Sequence, residues 1–192
     1  MVTAYISIVR VTLVSLLALI SINCIAQGNI PPRKNGVVVY QGVMAVDSLT
    51  KNQLFDIANN YLTTYFNTTK SFINKVDKDI GTIIIKPCVN FPFKRDHTEY
   101  NGGLWHYTGT FTFKDGKYYY QLNSFYNTDF MFGTPQRQDL GDVECLYDDN
   151  NCNFGFTSIP RPDKLQSKMI LKNLHRAMVD FMQEFDAGMR KK

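Results

Sequence analysis

The sequence predicts an α+β fold in which a strand, a helix, four strands and a second helix follow one another along one domain. Three observations lead to this prediction. Residues 104–123 alternate apolar and polar side chains on either side of Asp115-Gly116, as a β-hairpin does. Residues 50–66 and 163–189 repeat apolar side chains at helical spacing. A hydrophobic content of 44% and a length of 192 residues suit a single globular domain.

The N-terminal segment predicts export. Residues 11–22 form an apolar run that follows Arg10 and precedes small and polar residues. This order is typical of a secretory signal, so we expect residues 1–26 to be a signal peptide that is cleaved after Ala26. The run is shorter than the roughly 20 residues of a transmembrane helix, so we expect no membrane span after cleavage.

A lipid anchor at Cys24 is the alternative to cleavage after Ala26. Cys24 could be the modified first residue of a bacterial lipoprotein, but Ser21 and Asn23 fit the residue preferences of such a signal poorly. We therefore expect the exported protein to be soluble and to carry no lipid.

The mature chain begins with a leader and a strand. Residues 27–35 are polar and contain a Pro pair, which predicts a flexible leader before a single domain at 36–189. The β-branched and aromatic residues of 36–46 predict a strand, in which Gly42 is a candidate bulge.

Both predicted helices have start signals. Thr50 and Gln53 form a capping-box pair at the start of the helix 50–66. The second helix, 163–189, begins at Asp163, whose carboxylate suits the positive end of the helix dipole.

Two further strands are predicted between the first helix and the hairpin. They span 72–76 and 82–89, and Pro87 should mark an end or an irregularity of the second. The apolar run at 83–85 indicates a strand that is buried on both faces, or nearly so. Residues 92–103 contain charges, Pro and a Gly pair, which predict a loop.

The turn at Asp115-Gly116 fixes the register of the hairpin. It places Phe113 opposite Tyr118, Phe111 opposite Tyr120 and Gly109 opposite Leu122. One face is then aromatic and should form the core, with cross-strand pairs that contribute about 0.2–1 kcal/mol each. The opposite face should be the side of the sheet that no helix covers. It carries the candidate ligand-binding residues His106, Thr108, Thr110, Thr112, Tyr119, Gln121 and Asn123.

The cysteines suggest a disulfide. If Cys24 leaves with the signal, Cys88, Cys145 and Cys152 remain, and their odd number leaves at least one thiol over. Cys145 and Cys152 are close in sequence and form the candidate disulfide, with unpaired structural thiols as the alternative. Cys88 lies in an apolar strand and should be a buried, inert thiol.

No motif for catalysis, a metal or a cofactor stands out. HExxH, GxSxG and paired CxxC are absent, so we expect no catalytic residues, no metal and no cofactor. The formal charge of +4 is too small to indicate a nucleic-acid partner. The long irregular segment 127–162 is either a packed loop or a functional one.

Parts of the chain resemble a known family. The segments GVVVYQGV, SLTKNQLFDIANNYL, DKDIGTI and FTFKDGKYYYQL, within residues 36–126, are similar to a bacterial exported family of unknown function with a fold like that of the TATA-binding protein (TBP-like). The resemblance implies one curved antiparallel sheet with two helices on one face. It implies no activity, because fold does not determine function.

These observations favour a non-enzymatic binding or scaffold module in the envelope of a Gram-negative bacterium, in the periplasm or at the cell surface. Its partner would be an envelope protein or a glycan, held by the open sheet face. Two alternatives remain: a hydrolase of envelope material with its site in 127–162, and a structural protein that self-associates through the edge of its first strand.

Overall fold

The computed structural model describes residues 28–66, 72–90, 93–95, 98–100, 103–128, 141–147 and 163–191. The strands are β1 (Arg33–Lys34), β2 (Val37–Val38), β3 (Tyr40–Ala45), β4 (Ile73–Asp77), β5 (Thr82–Ile85), β6 (Cys88–Asn90), β7 (Phe93–Arg95), β8 (Thr98–Tyr100), β9 (Leu104–Lys114), β10 (Lys117–Thr128) and β11 (Gly141–Asp142). The helices are α1 (Lys51–Tyr65) and α2 (Lys164–Arg190), and Val143–Leu146 form a short 3₁₀-helix.

The main sheet is antiparallel and open, and its long strands lie in the order β3-β10-β9-β5-β4. β11 pairs with the end of β10, and β6 pairs with the start of β9. Both helices pack on one face, where the ring of Phe113 meets Phe55 of α1 at 5.8 Å and the ring of Phe111 meets Phe185 of α2 at 4.7 Å. The predicted α+β fold, a curved antiparallel sheet with two helices on one face, is confirmed.

The predicted register of the hairpin is also confirmed. Tyr118 pairs with Phe113 and Tyr120 pairs with Phe111. Along β9, buried and half-buried residues alternate without interruption from Leu104 to Phe113. The alternation follows from the period of two in a strand, which sends every second side chain into the core.

The hairpin turn is fixed on the start of α1. A side-chain oxygen of Asp115 accepts a hydrogen bond of 2.6 Å from the backbone N–H of Lys51, and the N–H of Gly116 donates to the carbonyl of Leu49 at 2.8 Å. The carboxylate therefore faces the positive end of the helix dipole. The predicted capping box of Thr50 and Gln53 is present at the same helix end.

Gly42 is not a bulge, contrary to the prediction. The pairing of β3 with β10 is continuous from Tyr40 to Ala45. A Cβ atom at Gly42 would instead lie 2.7 Å from the ring of Tyr120. The glycine is needed because this buried ring crosses directly over the backbone of β3.

Two further predictions are wrong in detail. Ile83 and Ile85 are fully buried, but Ile84 is only half-buried, because its side chain points to the face opposite the helices. Residues 92–103 were expected to be a loop, yet β7 and β8 pair with each other within this segment. Pro87 does interrupt the strand predicted for 82–89, which divides into β5 and β6.

The segment 127–162 is described in part. Asn127 and Thr128 end β10, and β11 pairs with this end. The 3₁₀-helix that follows buries Val143 and Leu146 in the core. Residues 129–140 and 148–162 lie outside the described residues, so the predicted role of this segment is not tested.

Candidate functional site on the open sheet face

The predicted contact residues share one face of the sheet, the face opposite the helices, which we call the open face. Tyr119 pairs with Thr112, Gln121 with Thr110 and Asn123 with Thr108. Beyond Asn123 the register shifts, and Tyr126 takes the place opposite His106. The shift coincides with a positive φ of 55° at Ser124.

Neighbouring strands extend the open face. On β3, Gln41 pairs with Gln121 and Val43 pairs with Tyr119. The side chain of Val43 is 53% exposed, which is high for an apolar residue in a sheet. On β5, Thr82 and Ile84 pair with Thr112 and Thr110. The sequence did not predict that β3 and β5 flank the hairpin, so it did not place these residues in the candidate site.

A shallow depression of about 340 Å³ lies where β3, β10 and β9 meet. Its lining includes the amide groups of Gln41 and Gln121, the hydroxyl groups of Thr110 and Thr112, and the aromatic residues Tyr119 and Tyr120. Threonine side chains are stiff on a strand, so their hydroxyl groups lose little conformational freedom when they bind a partner. A ligand in the depression can therefore form several hydrogen bonds and a contact with the ring of Tyr119 at once.

Two lysines stand at one end of this depression. Lys114 and Lys117 pair directly across the hairpin. Their ammonium groups lie 5.5 and 5.6 Å from the ring centroid of Tyr119, within the range of cation–π attraction. Like charges opposite each other on a sheet repel, so an anion between them would remove an unfavourable interaction. The sequence analysis missed these lysines, although the register set by Asp115-Gly116 already placed them together.

His106 lies at the other end of the open face, in contact with a cysteine. Its Nε2 is 3.7 Å from Sγ of Cys88 and 3.2 Å from Oγ1 of Thr128. Its ring stacks on Tyr126 with centroids 4.7 Å apart.

The prediction that Cys88 is buried is wrong, because its thiol is exposed. β6 keeps the register in which β5 pairs with β9, so Cys88 follows the same alternation as Ile84 and lies on the open face, opposite His106. The described residues around this imidazole include no carboxylate that would orient it as a catalytic base.

The candidate disulfide is described at one end only. Cys145 lies half-buried in the 3₁₀-helix. Cys152 lies outside the described residues, so the pair stays a prediction.

Comparisons with known proteins agree with this geometry. Residues 40–128 match the family model described as "Domain of unknown function (DUF4468) with TBP-like fold". The match covers strands β3 to β10 and α1, and it confirms the family resemblance that the sequence indicated. No curated protein matches the chain.

Two crystal structures are similar in fold. A TBP-like protein from Parabacteroides distasonis ATCC 8503 has a TM-score of 0.62 and 15% identity over 84% of this chain and 97% of its own. A DUF4468 family protein from Bacteroides ovatus ATCC 8483 has a TM-score of 0.52 and 17% identity over 86% of this chain and 93% of its own. Both organisms are Bacteroidetes, which are Gram-negative. Within the described part of this chain, neither long helix has the apolar composition that a membrane-spanning helix needs.

Proposed function

We propose that this protein is an exported, non-catalytic binding module of the cell envelope, and that its open face binds an acidic glycan. The observation that carries the proposal is the depression between β3, β10 and β9, which combines the ring of Tyr119 with flanking amide and hydroxyl groups. The N-terminal segment supports export, because its basic, apolar and small-residue order is that of a secretory signal.

The polar groups of the open face suit a sugar chain. A pyranose offers hydroxyl groups at its edges and C–H groups on its faces, so it can use amides and an aromatic ring together. Each hydrogen bond formed in water adds only about 0.5–1.5 kcal/mol net. Useful affinity therefore requires several such groups in a row, which the pairing of Gln41, Gln121 and Thr110 across three strands supplies.

The charges of the open face favour an anionic chain over a neutral one. Lys114 and Lys117 lie opposite each other beside Tyr119. The carboxylate of a uronic acid placed between them would relieve their repulsion and attract both ammonium groups. Such surface attraction falls as salt is added, because the Debye length is about 8 Å at physiological ionic strength.

The test compares two oligosaccharides of equal length by isothermal titration calorimetry. Hexagalacturonate carries a carboxylate on every sugar, whereas cellohexaose is neutral. We expect the acidic chain to bind at least about tenfold more tightly. The double variant Lys114→Gln/Lys117→Gln should remove this preference, and Tyr119→Ala should weaken binding of the acidic chain.

The matched control is Lys168→Gln/Lys172→Gln, which removes the same charge from exposed positions of α2. If both double variants weaken binding equally, the attraction is non-specific and the proposal is wrong. If neither oligosaccharide binds, the proposal that the open face binds an acidic glycan is wrong. Capture of an envelope protein by the wild type but not by Tyr119→Ala would then assign the open face to a protein partner.

A further inference from the structure

A separate cavity of about 230 Å³ lies at the edge of the sheet, beneath the N-terminal part of the domain. Residues 28–34, which we call the strap, precede β2, and the strap lines the cavity with Pro32, Arg33 and Lys34. Several contacts hold the strap in place. The hydroxyl group of Tyr147 donates to the carbonyl of Pro31 at 2.9 Å, and the guanidinium of Arg33 lies 4.4 Å from the ring centroid of Tyr147.

The walls of the cavity are apolar. The helix α2 contributes Met178, Val179 and Met182, and β10 contributes the ring of Tyr120. Methionine side chains are unbranched and adapt to irregular shapes, so two of them on one wall can fit a flexible chain.

The floor of the cavity is polar, and its two polar side chains are hydrogen-bonded to each other. The hydroxyl group of Tyr40 and Nδ1 of His175 are 3.2 Å apart, and the two rings stack with centroids 5.8 Å apart. Burial raises the pKa of Tyr40 far above its ordinary value and lowers the pKa of His175. Both groups are therefore neutral near pH 7, and the floor repels no apolar ligand by charge.

The mouth of the cavity is basic. Arg33 and Lys34 of the strap line it, and the described lining residues include no aspartate or glutamate. Arg33 is fixed by its own contacts, among them a hydrogen bond of 3.2 Å from Nε to the carbonyl of Gly36. Lys34 is exposed and can reach a charged group held at the opening. An apolar interior with a cationic rim suits a molecule with an apolar tail and an anionic head.

The volume limits the length of the tail. An apolar cavity of roughly 150 Å³ takes up benzene, which has six carbon atoms. By proportion, about 230 Å³ accommodates about nine non-hydrogen atoms. That is the size of a straight chain of about eight carbons whose carboxylate stays at the mouth.

We infer that the cavity beneath the strap binds a straight-chain carboxylate of about eight carbons, with its chain against Met178 and Met182 and its carboxylate beside Lys34. The cavity shares Gln41 and Tyr120 with the depression of the open face, but Lys34, Met178 and Met182 line the cavity alone. The two proposals can therefore fail separately.

The test titrates the purified protein with sodium octanoate by calorimetry. Octyltrimethylammonium has the same chain with the opposite charge, and acetate has the charge without the chain. We expect octanoate to bind about tenfold more tightly than the cation and acetate not to bind measurably. The variant Lys34→Glu should weaken octanoate about tenfold, whereas the matched control Lys172→Glu, on the exposed side of α2, should leave its affinity unchanged.

A second variant tests the interior. Val179→Phe places a ring in the cavity from a half-buried position, and it should abolish octanoate binding while the circular dichroism spectrum and thermal unfolding stay close to those of the wild type. The inference is overturned if octanoate does not bind, if octyltrimethylammonium binds as tightly, or if Lys34→Glu and Lys172→Glu have the same effect. Unchanged binding to a folded Val179→Phe protein would overturn it as well.

Discussion

Substitution of Gly42 by alanine tests the packing that brings β3 beside β10. The new Cβ atom would lie 2.7 Å from Cε1 and from the hydroxyl oxygen of Tyr120, whereas non-bonded carbon atoms are best separated by about 3.5–4.0 Å. Tyr120 is only 6% exposed, so its ring can move aside only into the spaces that it lines, at the cost of its present packing. Overpacking of this kind costs about 1–3 kcal/mol.

The same substitution also has a favourable component. Glycine in a strand is less stable than alanine by roughly 0.5–1 kcal/mol, because it loses more backbone freedom on folding. The net expectation is that Gly42→Ala lowers the free energy of unfolding by about 1–2 kcal/mol. For a chain of this length that corresponds to a fall in Tm of about 2–8 °C.

Urea unfolding, followed by far-ultraviolet circular dichroism and by the fluorescence of Trp105, measures this free energy. The control is the variant Tyr120→Leu, which removes the ring. In that background Gly42→Ala should be neutral or stabilising, because the clash is gone and only the smaller loss of backbone freedom on folding remains. The reasoning is refuted if Gly42→Ala stabilises the wild-type protein, or if its effect is the same in both backgrounds.

Two further predictions concern buried polar groups. The hydroxyl group of Tyr118 donates a hydrogen bond of 3.0 Å to Asp186. Asp186→Ala leaves this buried hydroxyl group without its acceptor and should lower the free energy of unfolding by about 1–3 kcal/mol, whereas Tyr118→Phe removes the donor itself and should lower it by about 0.5–1.5 kcal/mol. Urea unfolding that gives the reverse order would contradict this prediction. The pKa of His175 is lowered by burial, so below about pH 6.5 the unfolded chain binds more protons than the folded one, and stability should fall with falling pH. His175→Gln should lose stability less steeply than the wild type between about pH 7.5 and 5, and equal slopes would show that His175 does not contribute.

Local signals in the sequence were sufficient for the elements that depend on neighbouring residues. Asp115-Gly116 fixed a turn, and the alternation on either side then fixed which side chains of β9 and β10 share a face. The capping box of Thr50 and Gln53 fixed the start of α1 in the same way. In each case the interacting residues are close in sequence, so a local sequence pattern is enough to predict their geometry.

Apolar runs gave weaker information. The run at Ile83–Ile85 was interpreted as a strand buried on both faces, but Ile84 lies on the open face. Composition shows that a strand is apolar and does not show which face a neighbouring helix covers. Cys88 was misplaced for the same reason, because it lies on the same face as Ile84 in the continuous register with β9.

The sequence by itself determined the α+β class, the two helices, the register of the central hairpin and the predicted contact residues that share its polar face. Only the tertiary structure decided what lies beside that hairpin. It placed Gln41 and Val43 next to Gln121 and Tyr119, and it closed the strap over the cavity against α2. Both results depend on contacts between segments far apart in the chain, which are selected by burial of the whole core and not by any local pattern.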